Sequence, residues 1–155
     1  MKKLYFVSAL GMFQFSCTLA DAQKISGKKV TEPVTKRFTT LYPGASEVKW
    51  EITRGHNYQA SFLNKNREVI AIFDDLGNML QTETKIGNDA LPKTVLPDVT
   101  MNYPGLSVKQ AYTWESGGEL TYMVDVSPNP KGIVRLIFDH YGNFRKNTTE
   151  EIIQK

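Results

Sequence analysis

Cysteine is almost missing from this chain. Its 155 residues hold a single one, Cys17, near the N-terminus. Disulfides, thiolate zinc sites and a cysteine nucleophile in the body of the protein are therefore excluded together. Histidine is scarce as well. His56 and His140 are the only two, and neither has a second His or a Cys at metal-ligand spacing. No Gly-x-Ser-x-Gly occurs, and Ser61, Ser107, Ser116 and Ser127 lack a neighbouring His, so acyl transfer has no support. Gly117-Gly118 lies between strand signals rather than ahead of a helix, which reads as a hairpin turn and not a phosphate cradle. Excess charge of one sign is missing too. Nineteen Lys and Arg oppose 16 Asp and Glu, a net charge of +3, too little for the basic surface that nucleic acid requires. What is present is ordinary globular material: 41% hydrophobic, 23% charged and 11% aromatic residues, enough for one compact domain.

The N-terminus reads as an address. Lys2-Lys3 precedes an uncharged, mostly apolar run from Leu4 to Leu19, and Ala20-Asp21-Ala22 supplies a small-x-small cleavage pattern. Residues 1–22 are thus expected to be a signal peptide, cut before Gln23, and residues 23–155 the mature domain. The apolar run is shorter than the roughly 20 residues that span a bilayer, and no later segment is long enough either. The expected location is the periplasm or the exterior. Lipid anchoring through Cys17 is the weaker alternative, because Gln14 occupies the place where a lipoprotein signal carries Leu.

The mature chain repeats itself. Tyr42-Pro43-Gly44 recurs as Tyr103-Pro104-Gly105. Tyr58, Ala60 and Phe62 recur as Tyr122, Val124 and Val126. Phe73-Asp74-x-x-Gly77-Asn78 recurs as Phe138-Asp139-x-x-Gly142-Asn143. Val30, Val34, Phe38 and Leu41 share one helical face, with Pro33 suited to a first turn and Pro43-Gly44 ending the helix. Leu91, Val95 and Val99 repeat that face, and Pro97 confines the second helix to about Val95–Asn102. Strand signals with a period of two follow each helix, at about 47–53, 57–63, 67–74 and 78–85, then 107–115, 119–126, 132–139 and 143–149. Short loops join them, as antiparallel neighbours require. The expected fold is α+β: two tandem repeats (about 28–88 and 89–155), each one helix packed on a four-stranded antiparallel meander, joined at Asn88–Ala90.

This order of helix, Tyr-Pro-Gly, strands and Phe-Asp-x-x-Gly-Asn resembles the PepSY-like family, related in fold to β-lactamase-inhibitory protein. The resemblance covers nearly the whole mature chain. It implies a small exported protein with no catalytic set to carry over, and binding of a protein or peptide.

The residues themselves lead to a similar expectation. Asp74 and Asp139 stand at turns too poor in acidic ligands for calcium, and an Asx-type turn explains both. If Val69, Ala71 and Phe73 pack under the first helix, Ile70 and Ile72 point away. In the second repeat Ile133, Arg135 and Ile137 point away, with Met123 beside them. Lys49, Glu51 and Gln59 add a polar border. An apolar centre with a polar rim is the chemistry of an interaction surface. The expectation is a non-enzymatic binding protein without cofactor or metal, contacting a protein or peptide through this outer face, as an inhibitor or accessory factor. The alternative is a small-ligand binder in which Trp50, Tyr58, Tyr112 and Trp114 line a pocket between helix and sheet.

Overall fold

The computed structural model describes residues 23–127 and 132–150. The predicted signal peptide, Cys17 and most of the Pro-rich loop at 127–131 lie outside the described residues. Among the described residues, two α-helices and nine strands make up the fold. Strand β1 (Gln23–Ile25) precedes α1 (Glu32–Leu41), which is followed by β2 (Ser46–Ile52), β3 (Tyr58–Asn64), β4 (Arg67–Phe73) and β5 (Met79–Ile86). Then come α2 (Val95–Asn102), β6 (Ser107–Ser116), β7 (Glu119–Ser127), β8 (Ile133–Asp139) and β9 (Phe144–Glu150).

Helix α1 starts where Glu32 and Pro33 suit a first turn, the acid facing the helix dipole and the proline lacking only an N–H that would be unbonded anyway. Val34 and Phe38 are buried on its inner face. The Thr31 hydroxyl donates to the Asp75 carbonyl at 3.3 Å, tying the helix start to the β4–β5 turn. Helix α2 occupies the span that Pro97 allows and buries Val95 and Val99. Its Thr94 hydroxyl donates to the Gly142 carbonyl at 3.3 Å, in the β8–β9 turn.

The architecture corrects the expected one. The strands form a single nine-stranded antiparallel sheet in the order β1 to β9, not two four-stranded meanders each under its own helix. The reason is edge chemistry. An outermost strand exposes a row of unpaired N–H and C=O groups. Strand β5 satisfies its row by pairing with β6 from Gln81↔Ser116 to Ile86↔Ala111. At the other end, β1 covers part of β2, with Ile25 opposite Trp50. Asn88–Ala90, expected as the join, is a 3₁₀ turn beside this continuous sheet.

Both helices lie on the same face. The register carries one row of residues across the sheet, Phe62↔Val69↔Thr84↔Thr113↔Tyr122↔Phe138, and its ends belong to the two cores. Under α1, Phe38 meets Phe62 and Trp50 edge-on, with ring centroids 5.0 and 5.1 Å apart, and Ala60 and Ala71 leave room for the rings. Each such contact is worth about 0.5–1.5 kcal/mol beyond its buried area. Under α2 the core is mainly aliphatic: Leu91, Val95 and Val99 pack on Val124 and Leu136, with Phe138 its one buried ring.

The first Asp-x-x-Gly turn brings backbone against backbone, whereas the second, at Gly142, meets side chains of Pro92, Thr94 and Val95. Gly77 has φ +84°, and a Cβ there would lie 2.6 Å from the Pro33 carbonyl oxygen. Gly105 has a similar φ, +86°, but open space around it. Gly77→Ala is therefore expected to cost about 3 kcal/mol, combining left-handed strain with a clash, while Gly105→Ala costs about 1 kcal/mol from strain alone. Urea titration of the two variants measures the difference.

Candidate binding face

With both helices on one side, the alternate residues of every strand form the opposite side, over which no described helix or strand packs. The register sorts them into rows. One runs Lys49↔Ser61↔Ile70↔Glu83↔Trp114↔Thr121. A second runs Glu51↔Gln59↔Ile72↔Gln81↔Ser116↔Glu119. A third runs Lys85↔Tyr112↔Met123↔Ile137↔Lys146.

All nine residues selected from the sequence (Lys49, Glu51, Gln59, Ile70, Ile72, Met123, Ile133, Arg135 and Ile137) stand in the outward phase. They fall into two groups, one on β2–β4 and one on β7–β8. Between them lie β5 and β6, which contribute Glu83, Tyr112 and Trp114 to the centre of the face. Exposure also varies among the nine. Lys49 is exposed and Ile70, Ile72 and Ile137 are half-buried, whereas Gln59 and Met123 are buried beneath their neighbours.

Tyr112 and Trp114, expected on the helix side in the alternative pocket, stand on the outer face because β6 changes phase. Val108 pairs with Val126 and Gln110 with Asp125, so Lys109 is an extra residue on β6. Such a bulge moves every following side chain to the other face. Val108 packs on the α2 core, while Tyr112 and Trp114, at the same parity in sequence, emerge on the far side. The signal that could have placed them is Ala111, a small residue in the helix-facing phase like Ala60 and Ala71.

The same geometry breaks up the expected aromatic pocket. Trp50 and Tyr58 belong to the packing under α1, and Tyr112 and Trp114 lie on the opposite face, so the four rings cannot line one cavity. A polar cleft of about 590 Å³ involves Glu119, Asp139, His140 and Arg145 instead. A groove of about 640 Å³ runs beside α1, past Lys36, Arg37, Leu76 and Met79. Neither is lined by any of the four aromatic residues.

A charged network anchors the centre of the outer face. Arg135 donates two hydrogen bonds to the Asp125 carboxylate, at 2.7 and 2.9 Å, and lies 3.9 Å from Glu83. Its guanidinium sits 5.1 Å from the centre of the Tyr112 ring. Burial raises the Tyr112 phenol above its usual range, reinforced by the Asp125 charge and opposed by Arg135. Nearby, Lys85 pairs with Glu68 at 3.0 Å.

Asp74 and Asp139 serve their turns. Asp74 accepts hydrogen bonds from the Leu76 and Asn78 N–H groups at 3.0 and 2.8 Å, and from the Asn78 amide at 2.8 Å. Asp139 accepts the same set from Tyr141 and Asn143, at 3.0, 2.9 and 3.1 Å. Both carboxyls are held below the usual range, Asp74 chiefly by the Asn78 side chain and Asp139 chiefly by the Asn143 N–H. His56 and His140 are exposed in loops.

Comparison with known proteins supports the fold. No protein-family model matches the chain, and no curated protein does. Among solved structures, a BLIP-like protein from Bacteroides fragilis superposes with a TM-score of 0.67 at 26% identity, over 78% of this chain and 86% of that one. A DUF2874 family protein from Bacteroides uniformis gives 0.69 at 20% identity, over 77% and 88%. A candidate periplasmic protein from Bacteroides eggerthii gives 0.70 at 15% identity, over 77% and 88%. The chain thus has a BLIP-like fold, in keeping with the relation to β-lactamase-inhibitory protein that the sequence suggested. None of these three is described as PepSY-like. No helix among the described residues is long and apolar enough to cross a membrane.

Two outcomes are expected. Arg135→Ala strands the buried Asp125 carboxylate and should cost about 3 kcal/mol, most of it recovered when Asp125→Leu is added; urea titration of the single and double variants checks this. The Asp74 and Asp139 carboxyls have lowered folded-state pKa values, so their stabilisation is complete above the unfolded carboxylate range, near pH 4. It is lost as pH falls through the folded values. Asp74→Asn/Asp139→Asn should therefore flatten the acid limb of the stability curve, measured by urea titration from pH 7 down to pH 3.

Proposed function

We propose that this chain is an exported, non-enzymatic binding protein whose outer sheet face contacts a protein or peptide partner, as an inhibitor or accessory factor. One observation carries the reading. Tyr112, Trp114 and Arg135 come together at the centre of a sheet face that no described element covers. Tyr, Trp and Arg are the residue types that dominate binding energy in protein interfaces. Ile70, Ile72 and Ile137 supply apolar area around them, and Lys49 and Glu51 contribute to a polar border, as interfaces have.

Export is supported by the basic and apolar leader at 1–22 and by the periplasmic character of a structural neighbour. The destination is the periplasm or the exterior, with attachment through Cys17 as the lesser alternative. A non-enzymatic role agrees with where the carboxylates are: Asp74 and Asp139 bond their own turns, at the β4–β5 and β8–β9 hairpins. The near balance of charge argues against nucleic acid as the partner.

The test is affinity capture from a cell-envelope extract on immobilised Gln23–Lys155, with an Ile72→Glu/Ile137→Glu double variant alongside. Circular dichroism establishes that both are folded. A partner held by the wild type and depleted at least tenfold on the variant is expected. Equal capture by both would move the binding surface off this face.

A further inference from the structure

The charges nearest the centre of the outer face are matched to one another, while Lys49, Glu51, Glu119 and Lys146 stand further out on the same rows. Asp125 and Glu83 flank Arg135, Glu68 holds Lys85, and Asp139 pairs with Arg145 at 3.4 Å. The strongest of these pairs, Asp125 with Arg135, is also the most buried, with side chains 7% and 18% exposed. A partner carrying a charge of either sign would have to compete with a charge held in place on the face, and would desolvate both. The half-buried apolar side chains make no such demand. Ile70, Ile72 and Ile137 lie on the same surface as Trp114 and the ring of Tyr112, carried by three strands, β4, β6 and β8.

Resting on the binding reading above, we propose that this face recognises an electrically neutral protein loop with an aromatic or aliphatic tip. The internal ion pairs act as negative selection: they keep Arg135 and Lys85 from attracting acidic surfaces and Glu83 and Glu68 from attracting basic ones. Binding of this kind depends little on ionic strength, because no net charge is brought together. Its association is unsteered, in the range of about 10⁵–10⁶ M⁻¹s⁻¹.

The probe is a phage-displayed library of constrained loops, selected on immobilised Gln23–Lys155. Kd values of the enriched loops are then measured at 20 mM and 500 mM NaCl. Enriched loops should carry no net charge and at least one aromatic or branched aliphatic residue. Their Kd should change less than about threefold between the two salt concentrations. Trp114→Ala should weaken them at least tenfold, with circular dichroism confirming the fold. Glu68→Gln, which releases Lys85, should make acidic loops appear among the winners. Charged loops that are lost on Trp114→Ala and weaken tenfold or more in salt would overturn the neutral specificity while leaving the binding face in place. Loops indifferent to both Trp114→Ala and Ile72→Glu would remove the face itself, and the neutral specificity with it.

Discussion

The pairing of β5 with β6 is the contact on which the rest of the molecule depends. Six residues of each strand are in register there, from Gln81↔Ser116 to Ile86↔Ala111. Without it, β5 and β6 would each present an open edge to water. With it, two hydrophobic clusters, one rich in aromatic rings and one mainly aliphatic, become tenants of one sheet. The consequence on the other side is larger. Glu83, Tyr112 and Trp114 lie on the two strands that meet, so the centre of the candidate face exists only because the sheet is continuous.

The face illustrates how a polar network and an apolar surface share one set of strands. Arg135 is held by two carboxylates and a ring, and Tyr112 is held in turn by the guanidinium over it. Side chains fixed in this way lose little freedom when something docks on them, which lowers the entropic cost of association. The opposite face is occupied by its own helices, and there Trp50 and Phe73 pack against Phe38 within the core.

Much of the local structure was legible in the sequence. The 3.6 period of Val30, Val34, Phe38 and Leu41, and the limits set by Pro33, Pro43 and Pro97, bound the helices. Period-two alternation placed Ile70, Ile72, Arg135 and Ile137 on the outer face. The continuity of the sheet was not legible, because pairing of β5 with β6 is made by backbone groups that every residue carries. Strand β1 was missed for a related reason: Gln23, Lys24 and Ile25 are too few to show a period, and their strand conformation comes from pairing with β2. Tyr112 and Trp114 were assigned to the wrong face because alternation is informative only while the register is unbroken, and Lys109 breaks it.

That same extra residue has a consequence for how the face could change over time. Substitutions on β6 alter one side chain each. Removal of Lys109 would leave Val108 opposite Val126 and Gln110 opposite Asp125, so Tyr112 and Trp114 would keep their side of the sheet. The strand therefore carries one residue of spare length, and a single-codon deletion at that place would regularise the ladder without altering any residue of the face.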